Sequence, residues 1–506
     1  MSSVERTQTA ARDAAGRQRG AAGATARLAL PEDVAGRLRE IVGESSLILD
    51  PGALLVYESD GLTAYRERPC AVVAPHDTAE TAAVIGVLRE ARLPWVARGA
   101  GTGLSGGALA LNGAVLVSTA KMDRILEMDA ANGRARVQPG VVNVELTRQA
   151  TPHGLYYAPD PSSQTACTVG GNVAENAGGP HCLKYGVTLN HILGVTVVLP
   201  TGDVVELGGA GREGGYDLLG LFIGSEGTFG IATEIEVRLE PLPEQVRTLL
   251  ALFERIDDAT QTVSAIIAEG LLPAALEMVD QQAIVAVEAS IYAAGMPTDV
   301  AGALVIEFDG AAAAVEEDVQ RALAICNAHH AREVRIAHDD AERQKLWHAR
   351  KKAFGAMGRL APDILVQDAV VPRSRLPEAL AACYRIAEQY DLVLCNTFHA
   401  GDGNLHPTIP FDRRDPDLVA RVEKASKAMM QACVDVGGTI TGEHGVGIDK
   451  RAYMELIFDD DTLECMCAIR RVFDPTGLAN QTKILPVRVC REWAGPGTHV
   501  HAETLP

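Results

Sequence analysis

Between Leu30 and Val42 apolar positions recur at helical spacing, with Val34, Leu38 and Ile41 on one side. A short apolar run, Ala71 to Ala74, precedes Asp77-Thr78-Ala79-Glu80, which predicts a helix start. There Asp77 caps the free first-turn amides and Glu80 reaches back to the cap, while Val84, Leu88 and Ala91 fall on one face. Trp95-Val96-Ala97 reads as the next strand. From Ala114 onward the pattern is strand-dominated. Val195–Leu199, the turn Pro200-Thr201-Gly202-Asp203, and Val204–Leu207 form a predicted hairpin. Ile231, Thr233, Ile235, Val237 and Leu239 alternate with Ala232, Glu234, Glu236, Arg238 and Glu240, the signature of a strand with one face in water. Pro241 and Pro243 follow and mark a domain boundary.

Beyond Glu244, Ala-rich helical patterns alternate with short strand-like runs. The predicted helices are Ala259–Glu269, Ala311–His329, Arg343–Leu360, Leu376–Gln389 and Pro416–Val436, with Leu304–Phe308 and Leu392–Thr397 strand-like. Helices packed on an antiparallel sheet suit that order. Met1 to about Arg27 is rich in Ala, Gly, Arg, Ser and Thr, has almost no large apolar residues, and reads as a disordered tail without a secretory h-region. The expected division is 1–27 tail, 28–242 first domain, 243–486 second domain, and 487–506 tail.

A chain of 506 residues is long enough for two or three domains. Its 47% apolar and 22% charged residues are those of a globular enzyme. No stretch approaches 18 uninterrupted apolar residues, which argues against a transmembrane helix. The net charge of -20 argues against a nucleic-acid partner, because phosphate backbones require a basic face. Ten scattered cysteines include no C-x-x-C. The expectation is therefore reduced, mostly buried thiols in a cytoplasmic protein, with no iron–sulfur cluster or zinc ribbon of its own.

Three glycine-rich clusters lie in the first half. The first, Arg98-Gly99-Ala100-Gly101-Thr102-Gly103-Leu104-Ser105-Gly106-Gly107, contains a G-x-G-x-x-G spacing, with Asp123 about 20 residues further on. A Rossmann loop must open a full crossover helix, yet only a few residues separate Gly107 from the Asn112-Gly113 turn and the strand at Ala114–Ser118. What remains is a long loop of backbone amides able to wrap a pyrophosphate. The second cluster runs from Pro159 through Thr165 and from Val169 to Gly179, and the third is Ile223–Ile231.

On these residues the chain resembles the FAD-binding domain of the vanillyl-alcohol oxidase and p-cresol methylhydroxylase superfamily, from about Arg66 to Leu242 and on to about Pro486. Gly178-Gly179-Pro180-His181-Cys182-Leu183-Lys184-Tyr185-Gly186 is especially similar to the branch that includes the glycolate oxidase D subunit and D-lactate dehydrogenase. The resemblance implies an α+β fold: a PCMH-type FAD-binding domain of two α+β subdomains, and a C-terminal cap domain with helices on an antiparallel sheet. Carried over by position, Arg98, Gly99, Gly101, Thr102, Gly103, Ser105 and Gly106 form the loop that holds the FAD pyrophosphate. Pro159, Ser163, Thr165, Gly170, Asn172, Asn176, Gly179, Glu226 and Ile231 line the rest of the cofactor. Asn480 returns to the flavin ring with Lys483 near it, in a segment where Gln481-Thr482 replaces the family's usual Pro-Gly. Some members attach flavin through His or Tyr. The first loop has no His, so FAD is expected to be noncovalent, with His181 the one exception to weigh.

The second half carries Phe398-His399-Ala400-Gly401-Asp402-Gly403-Asn404-Leu405-His406 and Thr441-Gly442-Glu443-His444-Gly445. Two imidazoles and a carboxylate, His399, His406 and Glu443, are a standard ligand set for a divalent metal such as zinc, manganese or iron. Such an ion would lower the pKa of a substrate hydroxyl, and His444 would accept its proton. Related D-2-hydroxy-acid dehydrogenases use the matching positions in these roles. By the same resemblance Arg350 binds a substrate carboxylate; a solvated basic helix face shared with Lys351 and Lys352 is the alternative. Val366 stands where a second, Lys-type contact serves dicarboxylates, which favours glycolate or D-lactate. The leading expectation is FAD-dependent oxidation of a small 2-hydroxy acid, in concert with iron–sulfur and second flavoprotein subunits that would bring the chain to the inner membrane. The alternatives are a D-lactate dehydrogenase that passes electrons to cytochrome or quinone without partner subunits, and a non-catalytic FAD-carrying relay.

Overall fold

The computed structural model describes residues 29–209 and 215–490. The N-terminal tail expected over 1–27 and the stretch 491–506 lie outside the described residues.

The first lobe contains two larger sheets and a two-stranded pair, Leu155–Tyr156 with Glu240–Pro241. In one larger sheet, Ala71–Val73 and Trp95–Arg98 run parallel to Val115–Ser118 on either side of it, and Leu47–Ile48 adds an antiparallel edge. The helices Glu32–Val42 and Thr78–Glu90 cover this sheet through Val34, Leu38, Val84 and Leu88. Asp77 caps the second helix by accepting from the Glu80 amide at 2.9 Å. The Glu80 carboxylate departs from the expected box and accepts instead from the amide of His76, one residue before the cap, at 2.9 Å. The other sheet is antiparallel, with Ile231–Arg238 at its centre between Arg134–Val137 and Ile192–Val198. The predicted hairpin is present: Ile192–Val198 pairs with Val204–Gly208. As the alternation predicts, Ile235 and Val237 are buried, whereas Glu234 and Glu236 are half-exposed.

The second lobe is one large antiparallel sheet with helices on both faces. Its order places Gln245–Phe253 beside Gly302–Gly310, then Ala275–Asp280, Cys395–His399 and Asn404–Leu405. Leu249, Ala251 and Phe253 face the helices Ile256–Ala268 and Ala312–Ala328, whereas Leu250 and Leu252 face Gln281–Glu288 and the Trp347 helix. A strand covered on both faces is apolar at every position, so Leu249-Leu250-Ala251-Leu252-Phe253 shows no alternation. The helix expected over Arg343–Leu360 is two, Asp340–Lys351 and Ala353–Met357, joined at Lys352.

The last part of the chain returns to the first lobe. Trp95 donates its amide to the Leu478 carbonyl at 3.0 Å, and the Asn480 amide donates to the Trp95 carbonyl at 2.8 Å. Asn480 and Thr482 both have positive φ, 40° and 60°, a backbone that non-glycine residues rarely adopt. Arg470 holds that turn by donating to the carbonyls of Ala479, Asn480 and Lys483 at 2.8 to 3.1 Å. Cys467 and Cys490 are joined in a disulfide, which corrects the expectation that every thiol is reduced; the other eight cysteines are free, and five of them are buried. Among the described residues, no helix is long and apolar enough to cross a membrane.

Candidate active site

A cavity of about 650 Å³ runs between the lobes. Its first-lobe wall includes Arg98, Gly99, Gly101, Thr102, Gly103, Ser163, Gly170, Asn172, Glu226 and Ile231, and its second-lobe wall includes Arg350, Val366, His399, His406, Glu443 and His444. Segments some 300 residues apart in sequence therefore face one another across a single space.

The glycine loop links the parallel strands Trp95–Arg98 and Val115–Ser118 without opening a long helix, so its amides stay out of helical hydrogen bonds. Among the described residues, the backbone amides of residues 100–103 have no protein acceptor. Two side-chain groups on this wall, Asn172 Nδ2 and Ser225 Oγ, are also buried without a protein partner. Open loop amides beside two buried, unpartnered side-chain groups suit this wall to a ligand rich in acceptors, as a pyrophosphate and an isoalloxazine are. A Cβ on Gly103 would meet nothing within 4 Å, which leaves that side of the loop open.

Several residues expected at the cofactor do not line the cavity. The Ser105 carbonyl accepts the amides of Ile448 and Asp449 at 3.0 and 3.1 Å, and a Cβ on Gly106 would come within 2.5 Å of Ile448. Pro159 spends its carbonyl on Asn143 Nδ2 at 2.9 Å. Thr165 lines a separate groove of about 950 Å³ that shares only Gly99, Ala100 and Thr168 with the main cavity. Asn176 ends the Val169–Glu175 helix in the left-handed conformation and accepts from the Leu189 amide. Gly179 packs on the Asp160 backbone. Asn480 holds the glycine loop from behind: its Nδ2 donates to the carbonyls of Gly107 and Glu226, and Lys483 donates to those of Gly107 and Leu109. Arg98 supports the loop by donating to the Ser59 carbonyl at 2.8 Å. Glu226 lines the cavity, but its carboxylate accepts the amides of Val446 and Gly447, both at 2.7 Å. His181 lies outside the lining residues, with one ring nitrogen 2.9 Å from Asp160 and the other 3.2 Å from Glu307.

On the opposite wall, Nε2 of His399 and Nε2 of His406 are each 3.1 Å from Oε1 of Glu443. One ligand atom from each of the three residues lies within 4.8 Å of the others, close enough to share one ion. The other nitrogens are oriented from behind: Nδ1 of His399 is 2.8 Å from Glu277, and Nδ1 of His406 is 3.3 Å from the Gln367 carbonyl. Burial works to lower the His399 imidazole, but Glu277 and Glu443 outweigh it and hold it well above its ordinary value. This field demands a cation, and either a proton on His399 or a divalent ion at Nε2 meets that demand.

The His444 ring stacks on that of His406, with centroids 4.9 Å apart and planes within 3°. Burial, ahead of any neighbour, pushes its imidazole down to about 4, so it is a neutral proton acceptor near neutral pH. Its loop hangs on Asp368, a residue absent from the sequence-based candidates. Asp368 accepts the amides of Gly442 and His444 at 2.9 Å, and it pairs with Lys450 at 3.1 Å. Burial would raise the Asp368 carboxyl, yet Lys450, then His444 and His406, keep it well below its ordinary value. Arg350 is buried and pairs with Glu277 at 2.6 Å, and its Nε has no protein partner. The solvated-face alternative therefore describes Lys352 but not Arg350. Asp368 and Glu277 were legible only as lone carboxylates within apolar strand-like runs.

Comparison with known proteins agrees with this architecture. Residues 69–208 match the FAD binding domain family, and residues 242–484 match the family described as FAD linked oxidases, C-terminal domain. The chain is 45% identical over 471 residues to the glycolate oxidase subunit GlcD of Escherichia coli K12, covering 93% of this chain and 94% of that one. It is 42% identical to GlcD of Bacillus subtilis, over 90% of this chain and 97% of that one. With a D-lactate dehydrogenase of Anaerostipes hadrus it shares 34% identity, over 83% of this chain and 90% of the relative. The fold is similar to that of p-cresol methylhydroxylase, at a TM-score of 0.75 and 16% identity over 90% of this chain and 97% of that one.

Proposed function

This chain belongs to the FAD-linked oxidases, and from that premise we propose that it oxidises a small 2-hydroxy acid to the 2-oxo acid. It is an FAD-dependent hydroxy-acid oxidoreductase; the substrate preferred here is glycolate or D-lactate. FAD, when bound along the glycine-rich wall, supplies an acceptor for the hydride that leaves the substrate's α-carbon. His399, His406 and Glu443 would hold a divalent metal, which supplies Lewis acidity toward the substrate hydroxyl.

The chain's own side chains do the remaining work. Arg350 draws the substrate carboxylate to one side of the cavity, so the hydroxyl faces His444. The neutral imidazole of His444 takes the hydroxyl proton. Asp368 fixes the backbone of that loop, and the stacked His406 ring limits the rotation of His444. Val366, apolar and in register with Thr408, offers no cation at that position to a distal carboxylate, which favours monocarboxylates.

The observation that carries this reading is that the His399–His406–Glu443–His444 cluster faces the glycine-rich wall across one cavity. The proximity of a buried neutral base to the ligand set also disfavours a relay subunit, which has no proton to accept. We further infer noncovalent FAD, because both nitrogens of His181 are engaged by carboxylates. Iron–sulfur and second flavoprotein subunits, association with the inner membrane through them, and a cytoplasmic location complete the proposal. Anaerobic mixing with a panel of 2-hydroxy acids, with metal analysis of the same sample, provides the test. Bleaching of the flavin by glycolate or D-lactate in metal-containing protein is expected; flavin that no 2-hydroxy acid reduces would sink the reading. Turnover with cytochrome or quinone analogues by the isolated chain would instead favour the enzyme that acts alone.

A further inference from the structure

Glu277 is a carboxylate buried completely within Ala275–Asp280, a strand whose other positions are also buried. Such a group is stable only with partners, and it has two that belong to different parts of the site. Strand register places its Cα opposite that of His399, and its Oε1 lies 2.8 Å from His399 Nδ1. Its Oε2 lies 2.6 Å from a terminal guanidinium nitrogen of Arg350.

We propose that Glu277 is a positioning residue that joins the metal ligand His399 to the substrate-binding Arg350, so that ion binding and substrate orientation depend on one carboxylate. The inference rests on the roles assigned above to those two residues. By accepting from Nδ1–H, Glu277 keeps the lone pair of His399 on Nε2, the nitrogen that faces Glu443. By holding one terminal nitrogen of Arg350, it fixes the guanidinium of a residue that lines the cavity, where the carboxylate of the acid would meet it.

The isosteric variant Glu277→Gln separates this from a merely structural role. An amide cannot serve both partners. If its oxygen stays on His399, its NH₂ abuts the Arg350 guanidinium, donor against donor. If it turns around, its NH₂ takes Nδ1 of His399 as acceptor and moves the ring proton to Nε2, where it blocks the ion.

The test uses the FAD-loaded full chain as wild type, E277Q, E277A, R350A and E277A/R350A. Zinc and manganese affinities are read by chelator competition, and KM and kcat are read at saturating metal. Expected is a metal affinity about 10- to 100-fold weaker in E277A. R350A should keep metal affinity within about threefold but raise KM at least tenfold, the scale of one lost ionic contact. At saturating metal the E277A/R350A variant should show no larger KM defect than R350A, because the route from Glu277 to substrate that remains runs through Arg350. E277Q, if E277A does not fold, should lose at least tenfold in either metal affinity or kcat/KM. The proposal is overturned if E277Q binds metal and turns over within twofold of wild type, or if the two single defects in KM multiply in the double variant. A wild-type chain that binds no divalent metal, or whose flavin no 2-hydroxy acid reduces, would instead defeat the functional reading beneath it.

Discussion

The two walls of the cavity meet a ligand with different parts of the chain. Residues 98–107 present backbone: open amides, glycines without Cβ atoms, and an Arg98 side chain turned back to the Ser59 carbonyl. Residues 395–406 and 441–447 present side chains instead: the His399 and His406 rings are held from behind by the Glu277 carboxylate and the Gln367 carbonyl, and Asp368 holds the backbone of the His444 loop. Backbone recognition tolerates a large flexible cofactor and is vulnerable to added bulk. Side-chain recognition places a few atoms within hydrogen-bonding reach and is vulnerable to loss of one partner. Substitutions on the two walls should therefore fail in different ways.

The largest effect should come from the side-chain wall. His444→Gln removes a proton acceptor while keeping a side chain of similar size, so kcat for the 2-hydroxy acid should fall about a thousandfold with FAD content unchanged. Stopped-flow flavin reduction within tenfold of wild type would remove His444 from the chemistry. Glu443→Ala, which deletes a ligand shared by two imidazoles, should weaken metal affinity at least about a hundredfold and leave FAD bound. Elemental analysis of desalted protein checks the first part, and the flavin spectrum checks the second.

The glycine wall should respond in reverse. A methyl at Gly103 meets no protein atom, so Gly103→Ala should leave the melting temperature and metal content intact. It should still weaken FAD binding about tenfold, the scale of roughly 1.4 kcal/mol of steric conflict with the ligand. Unchanged FAD affinity would show that the pyrophosphate does not pass that point. The smallest effect on flavin reduction is expected at a disulfide that lines neither wall. Cys490→Ser opens a disulfide of sequence separation 23, worth about 3 kcal/mol by loop entropy. It should lower thermal stability by a few degrees and leave substrate-driven flavin reduction unchanged.

Local patterns determined much of this protein before any fold was known. The Ile231–Leu239 alternation, the hairpin turn at Pro200–Asp203, the Asp77 cap, the glycine loops, and the His399/His406 and Glu443/His444 motifs each depend on residues a few positions apart, where backbone geometry alone carries the message. Only tertiary structure decided which of these groups face the cavity. Ser105 and Asn480 belong to the expected motifs yet lie outside the cavity lining: the Ser105 carbonyl accepts from Ile448, and Asn480 Nδ2 donates to the Gly107 carbonyl. Arg350 reads as one of three cations in a row, and its burial follows from a partner 73 positions earlier, Glu277. Glu277 and Asp368 left almost no trace in the sequence. A buried carboxylate takes its meaning from the charges brought against it, and here strand register and chain return bring them from the other side of the lobe.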